Sequence, residues 1–451
     1  MKLLLVSPTS PLWRTQAPGA YRGARAFRFS MLSSLYVAAA MPPDVDTRLV
    51  DEDVEPVDFE TDADVVGISF MTYNAPRAYE IADEFRRRGK TVIVGGYHPT
   101  FLPEEASRHA DAVCVGEAEG VVPQMMADLR AGRLRPIYRG AAGSLTGLPI
   151  PDRRLIRRTA YITPDAVQAT RGCPHACTFC SVAAFCGHEF RTRPVDEVID
   201  ELAGLGRRVL FVDDNIIGDR EYALELFARM APLKRQWCSQ CSLRIAEDPR
   251  LLALAAKSGC IALFLGLESL SDGNLRAWRK TTNRALDYAR AIARIHAAGI
   301  GVYAGFVFGM DDDDGTVFQR TLDFLDQARV DVLQSTILTP FPGTPLFDEM
   351  DRQGRIRTRD WGLYDFAHVV FEPQRLSPQA LLAGASWVES RFYSRAATWR
   401  RIARAFGYMR PSVALGVMAP LSLGYVMRTR AYGAPEQARG YVSAEPARAQ
   451  A

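Results

Sequence analysis

From residue 195 onward the chain repeats one pattern: an amphipathic stretch, a turn, a short apolar run that ends in polar residues, and then another amphipathic stretch. "PVDEVIDELAGLG" has helical spacing and is followed by "RVLFVDDNII", a strand ending in Asp213, Asp214 and Asn215. "QWCSQCSLRIA" is the next strand and carries Ser242 and Arg244 at its end, and "DPRLLALAAKSG" is a helix closed by Gly259. "IALFLGLES" ends in Glu268 and Ser269, and "GVYAGFVFGM" and "VDVLQSTILTPFPGTPL" complete the series, with helical segments between them. With the strand that precedes the series this makes six strands. Alternation of this kind commits a chain to a parallel α/β fold, and such folds place their sites at the carboxyl ends of the strands.

The first 138 residues repeat the idea in a different register. "MKLLLVSP", "ADVVGISF", "KTVIVGGYHP" and "ADAVCVGEAE" are four apolar strands, with the amphipathic "APRAYEIADEFRRRG" between the second and third. They predict a separate doubly wound parallel sheet, whose strand ends carry Ser69, Thr72, Gly95, Gly96 and Glu117. No GxGxxG opens a helix after the first strand, which argues against a dinucleotide. Residues 139–155 are rich in Gly and Pro and form a linker, 156–345 hold the six-stranded unit, 346–430 a mainly helical extension, and 431–451 a tail whose composition predicts disorder.

Between the linker and the repeats stands "TRGCPHACTFCSV", with Cys173, Cys177 and Cys180 spaced CxxxCxxC. A structural zinc site closes with four Cys or His ligands, and the nearest spare ones are poorly placed: His175 lies inside the loop, and Cys186 lies beyond an apolar segment. Three thiolates on a tight loop suit a 4Fe-4S cluster with one iron left open for a ligand. A zinc site or a purely electron-transferring cluster is the alternative.

This loop, with the aromatic Phe179 before the last Cys, resembles the radical S-adenosylmethionine superfamily. The resemblance implies a partial (β/α)6 barrel in which the three Cys hold the cluster. The cofactor S-adenosylmethionine chelates the fourth iron and is cleaved reductively to a 5'-deoxyadenosyl radical. It also implies that Asp214 and Asn215 meet the methionyl amino group, that Glu268 meets the ribose, and that Ser242 and Arg244 lie near the carboxylate, with Arg244 as a bidentate fork. The plain reading of each is a helix cap or an ion pair.

The amino-terminal unit resembles the Rossmann-like cobalamin-binding domain that precedes the barrel in one class of that superfamily. "GISFM" matches its Ser loop and "VGGYHPT" its paired glycines, whose missing side chains let the nucleotide tail slide along the sheet. The first loop, "SPTSPLWRTQAPG", has no DxHxxG, so the usual lower ligand of cobalt is missing; His98 is either a substitute or, by preference, a hydrogen-bonding loop residue. The competing reading is a sheet that has lost its cofactor and only caps the barrel.

These resemblances imply a cobalamin-dependent C-methyltransferase acting on an unactivated carbon of a hydrophobic or secondary-metabolite substrate, supplied with electrons by a flavodoxin or ferredoxin. An oxidoreductase or cyclase of the same architecture is the alternative, followed by a non-catalytic cluster-binding module. A tRNA methylthiotransferase is excluded because the amino-terminal unit has only Cys114, and Cys238 and Cys241 lie on opposite faces of a strand. Net charge is +3 with no basic stripe, which argues against nucleic acid as a partner. "MKLLLVSP" is a strand rather than a secretion signal, and unpaired Cys fit a reducing compartment, the cytoplasm. Residues 411–427, "PSVALGVMAPLSLGYVM", are apolar, interrupted by Pro420 and flanked by Arg. They read first as a helix packed on the barrel and second as a peripheral contact with an anionic membrane.

Overall fold

The chain begins with strand β1 (Lys2–Ser7), in which Leu3, Leu4, Leu5 and Val6 are all buried, so both faces of the sheet must be covered. The computed structural model describes residues 1–10, 28 and 30–431; most of the first loop and the tail after 431 lie outside the described residues. Five further strands follow: β2 (Asp46–Asp51), β3 (Val65–Ser69), β4 (Thr91–Gly95), β5 (Ala112–Gly116) and β6 (Ile137–Gly140). All pair in parallel in the order β2-β1-β3-β4-β5-β6. The order reverses between β1 and β3, and a crevice opens where it does.

β2 and β6 were not expected. "DTRLVD" and the four-residue "IYRG" carry polar residues because they form the two edges, where one side of each strand lacks a partner. β6 also runs two residues past the expected domain end at 138.

The second sheet contains β7 (Ala166–Val167), β10 (Arg208–Phe211), β11 (Gln236–Cys241), β12 (Cys260–Glu268), β13 (Gly301–Phe308) and β14 (Val332–Ile337), all parallel. Its order, β14-β13-β12-β11-β10-β7, leaves the first and last strands as edges, so the barrel is partial. Helices take up the segments between them as expected. Helix α1 (Pro249–Ser258) shows how tightly each is fixed. The Asp248 carboxylate accepts the Arg250 and Leu251 N–H groups, both at 3.0 Å, and the helix closes at Gly259 with φ +100°. A Cβ there would lie 1.9 Å from the Arg235 carbonyl oxygen, so no other residue fits.

A small antiparallel pair, β8 (Thr170–Gly172) and β9 (Phe190–Thr192), brackets the three-cysteine loop. After β14 the extension packs on the barrel through α2 (Pro378–Phe392), α3 (Arg395–Ala405) and α4 (Ala419–Ala431). Leu381, Val388, Val413, Met418, Tyr425 and Val426 belong to the same apolar core as the barrel strands. The Tyr393 hydroxyl donates to the Leu333 carbonyl at 2.7 Å and accepts its N–H at 3.0 Å. Pro420 falls in the first turn of α4, directly after a π-helical turn, Ala414–Met418. No described helix is long and apolar enough to cross a membrane.

Candidate functional site

The loop that carries the three thiols is clasped at both ends. Gly172, at the end of β8, has φ +85°, and a Cβ there would lie 2.0 Å from the Glu189 carbonyl oxygen. In the middle of the loop, the Thr178 N–H donates to the Trp278 carbonyl and the Leu346 N–H to the Thr178 carbonyl, each at 3.1 Å. The Phe179 ring packs on Trp278 at 4.9 Å. So held, Cys173, Cys177 and Cys180 line one cavity of about 320 Å³ together with Asp214, Asn215, Ser242 and Glu268.

Among the described residues no three Cys, His, Asp or Glu side chains converge on a single metal ion. Three thiols that line one cavity suit a cluster in which each binds its own iron. Burial pushes the Cys177 thiol up to about 11 and raises Cys173 and Cys180 as well, so metal loading must expel protons.

Glu268 owes its position to an irregularity. The pairing of β12 with β13 slips between Gly266 and Glu268, and Glu268 itself adopts φ +66°, which turns its carboxylate into the cavity. There it accepts from Lys280 Nζ at 2.9 Å. Burial works against the Lys280 charge, but the Glu268 carboxylate and then Cys177 hold its pKa above the ordinary lysine range. A cation is thus fixed beside the thiols. Nothing in the periodicity of "WRKTTN" marks it, because it sits in a turn twelve residues beyond the strand end (280 against 268).

The other strand-end residues divide. Asp213 is sealed in the core, accepts the Ala169 and Thr170 N–H groups and the Thr170 hydroxyl, and is pushed up to about 7 by burial. Asp214 reaches the cavity and accepts the Gly172 N–H at 3.0 Å. The Asn215 side-chain carbonyl accepts the Ser242 N–H at 3.0 Å, tying the ends of β10 and β11 together. Arg244 departs from expectation. The strand ends at Cys241, and the 3-10 turn Leu243–Glu247 leaves the Arg244 side chain exposed and outside the cavity wall, although its charge, after burial and Lys280, helps to lower the pKa of His175, which lines the cavity. Among the described residues Lys280 is the Lys or Arg that lines the cavity.

A second cavity of about 500 Å³ lies over the β1/β3 crevice. Ser69, Gly95, Gly96 and Glu117 line it, as do Leu3, Leu5, Ile93, Val122, Met125 and Met126, which make it an apolar slot running along the sheet. Gly96 has φ +106°, and a Cβ there would lie 2.6 Å from the Phe70 carbonyl oxygen; at Gly95 a Cβ would meet that of Cys114 at 3.3 Å. The absent side chains thus make room for the neighbouring strands rather than for a ligand's tail, and it is the long apolar slot beside this backbone cradle that suits a flat macrocycle.

Two expected residues are not in this wall. Thr72 is buried at the start of the turn Thr72–Asn74, and Met71, Tyr73 and Asn74 face the cavity instead. His98 lies one step beyond Tyr97 in a short helix, and the rotation of about 100° per residue sends the two side chains apart. Tyr97 lines the cavity and stacks on Phe185 at 4.5 Å. His98 turns inward, and its Nε2 lies 3.1 Å from both the Tyr79 hydroxyl and the Glu105 carboxylate. Among the described residues no His lines this cavity.

The two cavities adjoin. Asp214 belongs to both walls, and Phe185, Cys186 and Arg171 reach the second cavity from the barrel side. Glu117, at the end of β5, is held by Arg171 of β8 at 2.9 Å and Arg191 of β9 at 3.0 Å, and Arg171 also pairs with Glu119 at 2.7 Å. Burial alone would raise the Glu117 pKa, but Arg191 and Arg171 hold it below the usual carboxylate range.

Comparison with known proteins agrees with this geometry. The B12 binding domain model matches residues 22–125 and the Radical SAM superfamily model residues 167–325. The chain is 35% identical over 386 residues to bacteriochlorophyllide d C-12(1)-methyltransferase of Chlorobaculum tepidum, covering 82% of this chain and 84% of that one. It is 28% identical over 341 residues to hopanoid C-2 methylase of Rhodopseudomonas palustris, covering 71% and 64%. Its fold is that of the radical S-adenosylmethionine methyltransferase TsrM from Kitasatospora setae, solved with cobalamin and a 4Fe-4S cluster, with a TM-score of 0.67 at 14% identity over 95% of this chain and 99% of that one.

Proposed function

Since the chain belongs to the cobalamin-dependent radical S-adenosylmethionine methyltransferases, we propose that it methylates an unactivated carbon on the rim of a large, flat, hydrophobic ring system of the bacteriochlorophyllide kind. The enzyme uses a 4Fe-4S cluster, S-adenosylmethionine and cobalamin. When bound, these supply an electron, a primary carbon radical able to take a hydrogen atom from an alkyl group, and a methyl group to replace it. The observation that carries the proposal is that the two cavities share Asp214 as a wall residue. One chamber gathers three thiols and the other a glycine cradle, so the two sets of groups stand on either side of one side chain.

Each side chain then has a task. We assign Cys173, Cys177 and Cys180 to the irons, and Asp214, Asn215, Ser242 and Glu268 to the polar groups of S-adenosylmethionine. Lys280 takes its carboxylate in place of Arg244. Phe264, Phe306, Phe341 and Phe366 line the first chamber and present it with carbon and ring faces. Such a wall holds an apolar substrate and keeps water out. Phe366 is 39% exposed, which marks the mouth on this side. Ser69, Gly95, Gly96 and Glu117 would hold the corrinoid, in a cavity that no His lines among the described residues. Electrons come from a flavodoxin or ferredoxin, and the reducing cytoplasm is where an oxygen-sensitive cluster survives.

The test is anaerobic turnover of the reconstituted enzyme with bacteriochlorophyllide d and, separately, a hopanoid, using methyl-labelled S-adenosylmethionine. Labelled methyl in the tetrapyrrole together with 5'-deoxyadenosine is the expected result. Label only in the hopanoid overturns the ring assignment. Hydrogen loss without label in either overturns methylation and leaves oxidation or cyclisation.

A further inference from the structure

Residues 390–431 contain eight Arg and no Asp, Glu or Lys. The whole chain has a net charge of only +3, so everything outside this segment is net acidic. The segment also gathers the exposed apolar side chains. Of the eight large hydrophobic residues exposed among those described, five fall here: Trp399 (60% exposed), Phe406, Leu415 (58% exposed), Leu423 and Met427. Charge asymmetry and surface apolarity therefore coincide in one place.

The helices explain how. α3 buries Thr398, Arg401, Ile402 and Ala405, and α4 with the turn before it buries Ala414, Met418, Tyr425 and Val426. Those faces pack on the barrel, and α3 and α4 also touch each other. Their opposite faces point away from the protein together. On α3, Arg395, Trp399 and Phe406 are spaced four and seven residues apart, which puts them on one stripe, with Arg400 and Arg404 at its flank. Arg401 is taken by the interior, with its guanidinium 3.7 Å from the Phe392 ring centroid, and Arg404 pairs with Asp326 at 2.9 Å. Arg395, Arg400 and Arg410 are exposed and have no carboxylate partner among the described residues.

A Trp and several aliphatic tips surrounded by unpaired guanidinium groups match a surface that is anionic outside and apolar just beneath. We infer that the outer face of α3, α4 and the turn between them docks on a lipid bilayer rich in anionic headgroups. Trp399, Phe406 and Leu415 enter the headgroup–acyl boundary, and Arg395, Arg400 and Arg410 bind the headgroups. This is a peripheral contact, made by helices whose inner faces are already spent on the barrel. It does not depend on which substrate the site takes, and its test makes no use of turnover.

The full chain is mixed with vesicles of phosphatidylcholine alone or of phosphatidylcholine with phosphatidylglycerol, and bound protein is read by flotation. Binding to the anionic vesicles should be about tenfold or more tighter, since each surface Arg contributes on the order of 1 kcal/mol, and added salt should reverse it. Two variants separate the contributions. Arg395→Gln/Arg400→Gln/Arg410→Gln should lose the preference for phosphatidylglycerol, and Trp399→Ser/Leu415→Ser should lose binding to both vesicles. All five positions are exposed, and an unchanged melting temperature verifies that each variant is folded. Equal binding to both vesicles, insensitivity to salt, or parental binding by both variants overturns the inference. So does a self-associated species that the variants dissolve, which would assign the face to a second copy of the chain.

Discussion

Lys280 sits where a charge is hardest to keep, and the Glu268 carboxylate at 2.9 Å is what keeps it. Lys280→Met would leave a buried carboxylate uncompensated and confuse structure with function, so the informative variant is Lys280→Met/Glu268→Gln. It should retain three-cysteine iron binding but bind S-adenosylmethionine about tenfold or more weakly, since the contacts assigned to both side chains are lost. Lys280→Arg alone, which keeps the charge and the pair with Glu268, should bind S-adenosylmethionine close to the parent; unchanged affinity in the double variant would remove both side chains from the cofactor site. Cys173→Ala, Cys177→Ala and Cys180→Ala should each lose the iron–sulfur absorbance and all 5'-deoxyadenosine formation. Gly96→Val should expel cobalamin on gel filtration, since φ +106° and the Phe70 carbonyl leave no room for a side chain. Here the sequence could be read only so far. It places a residue on a turn, but not which way the turn rotates it. Tyr97 and His98 are neighbours in one motif and point apart, and the short turn after Cys241 sends Arg244 outward.

The β8–β9 pair is the element that joins the two halves of the site. It clasps the cysteine loop on one side, and on the other its two Arg side chains grip Glu117 at the end of β5. Motion of this pair would move the thiols relative to the glycine cradle. Glu117→Gln, assayed with the cobalamin site filled, should therefore leave the cluster content near that of the parent. It should also raise the ratio of 5'-deoxyadenosine formed to methyl transferred, a coupling that stoichiometry measures directly. An unchanged ratio would mean that the ion pairs hold the fold and nothing more. No pattern in the sequence announced this pair, because three-residue strands are too short to show a period. The edge strands β2 and β6 escaped for a related reason, since a strand with one open side can afford polar residues. The interior strands, buried on both faces, were legible throughout.

At the scale of the molecule, both the start of the six-stranded unit and the extension tie the two sheets together. Tyr161, just before β7, donates to Asp51 of β2 at 2.9 Å, and Trp361 of the extension donates to Glu105 at 3.0 Å. Burial, followed by the neighbouring Asp53, pushes Asp51 up to about 6 against an ordinary value of 3.8. The folded protein thus holds this proton more tightly than the unfolded chain, so ionisation costs stability above about pH 6 and the cost vanishes below about pH 4. Asp51→Asn should flatten that part of the pH–stability curve, by about 3 kcal/mol across the window, and melting temperatures of the two proteins from pH 4 to 7 measure it. The partial barrel has a consequence of another kind. Because β14 does not close onto β7, the chain that follows β14 is free to supply part of the chamber wall, and Phe341 and Phe366 do so. The groups assigned to the cofactors come from the strand ends, the cysteine loop and the Lys280 turn, all earlier in the chain. Evolution can therefore redraw the acceptor by rewriting the last hundred or so residues while the radical-generating machinery is inherited whole, which makes this architecture a platform for diversification rather than a tool shaped for one molecule.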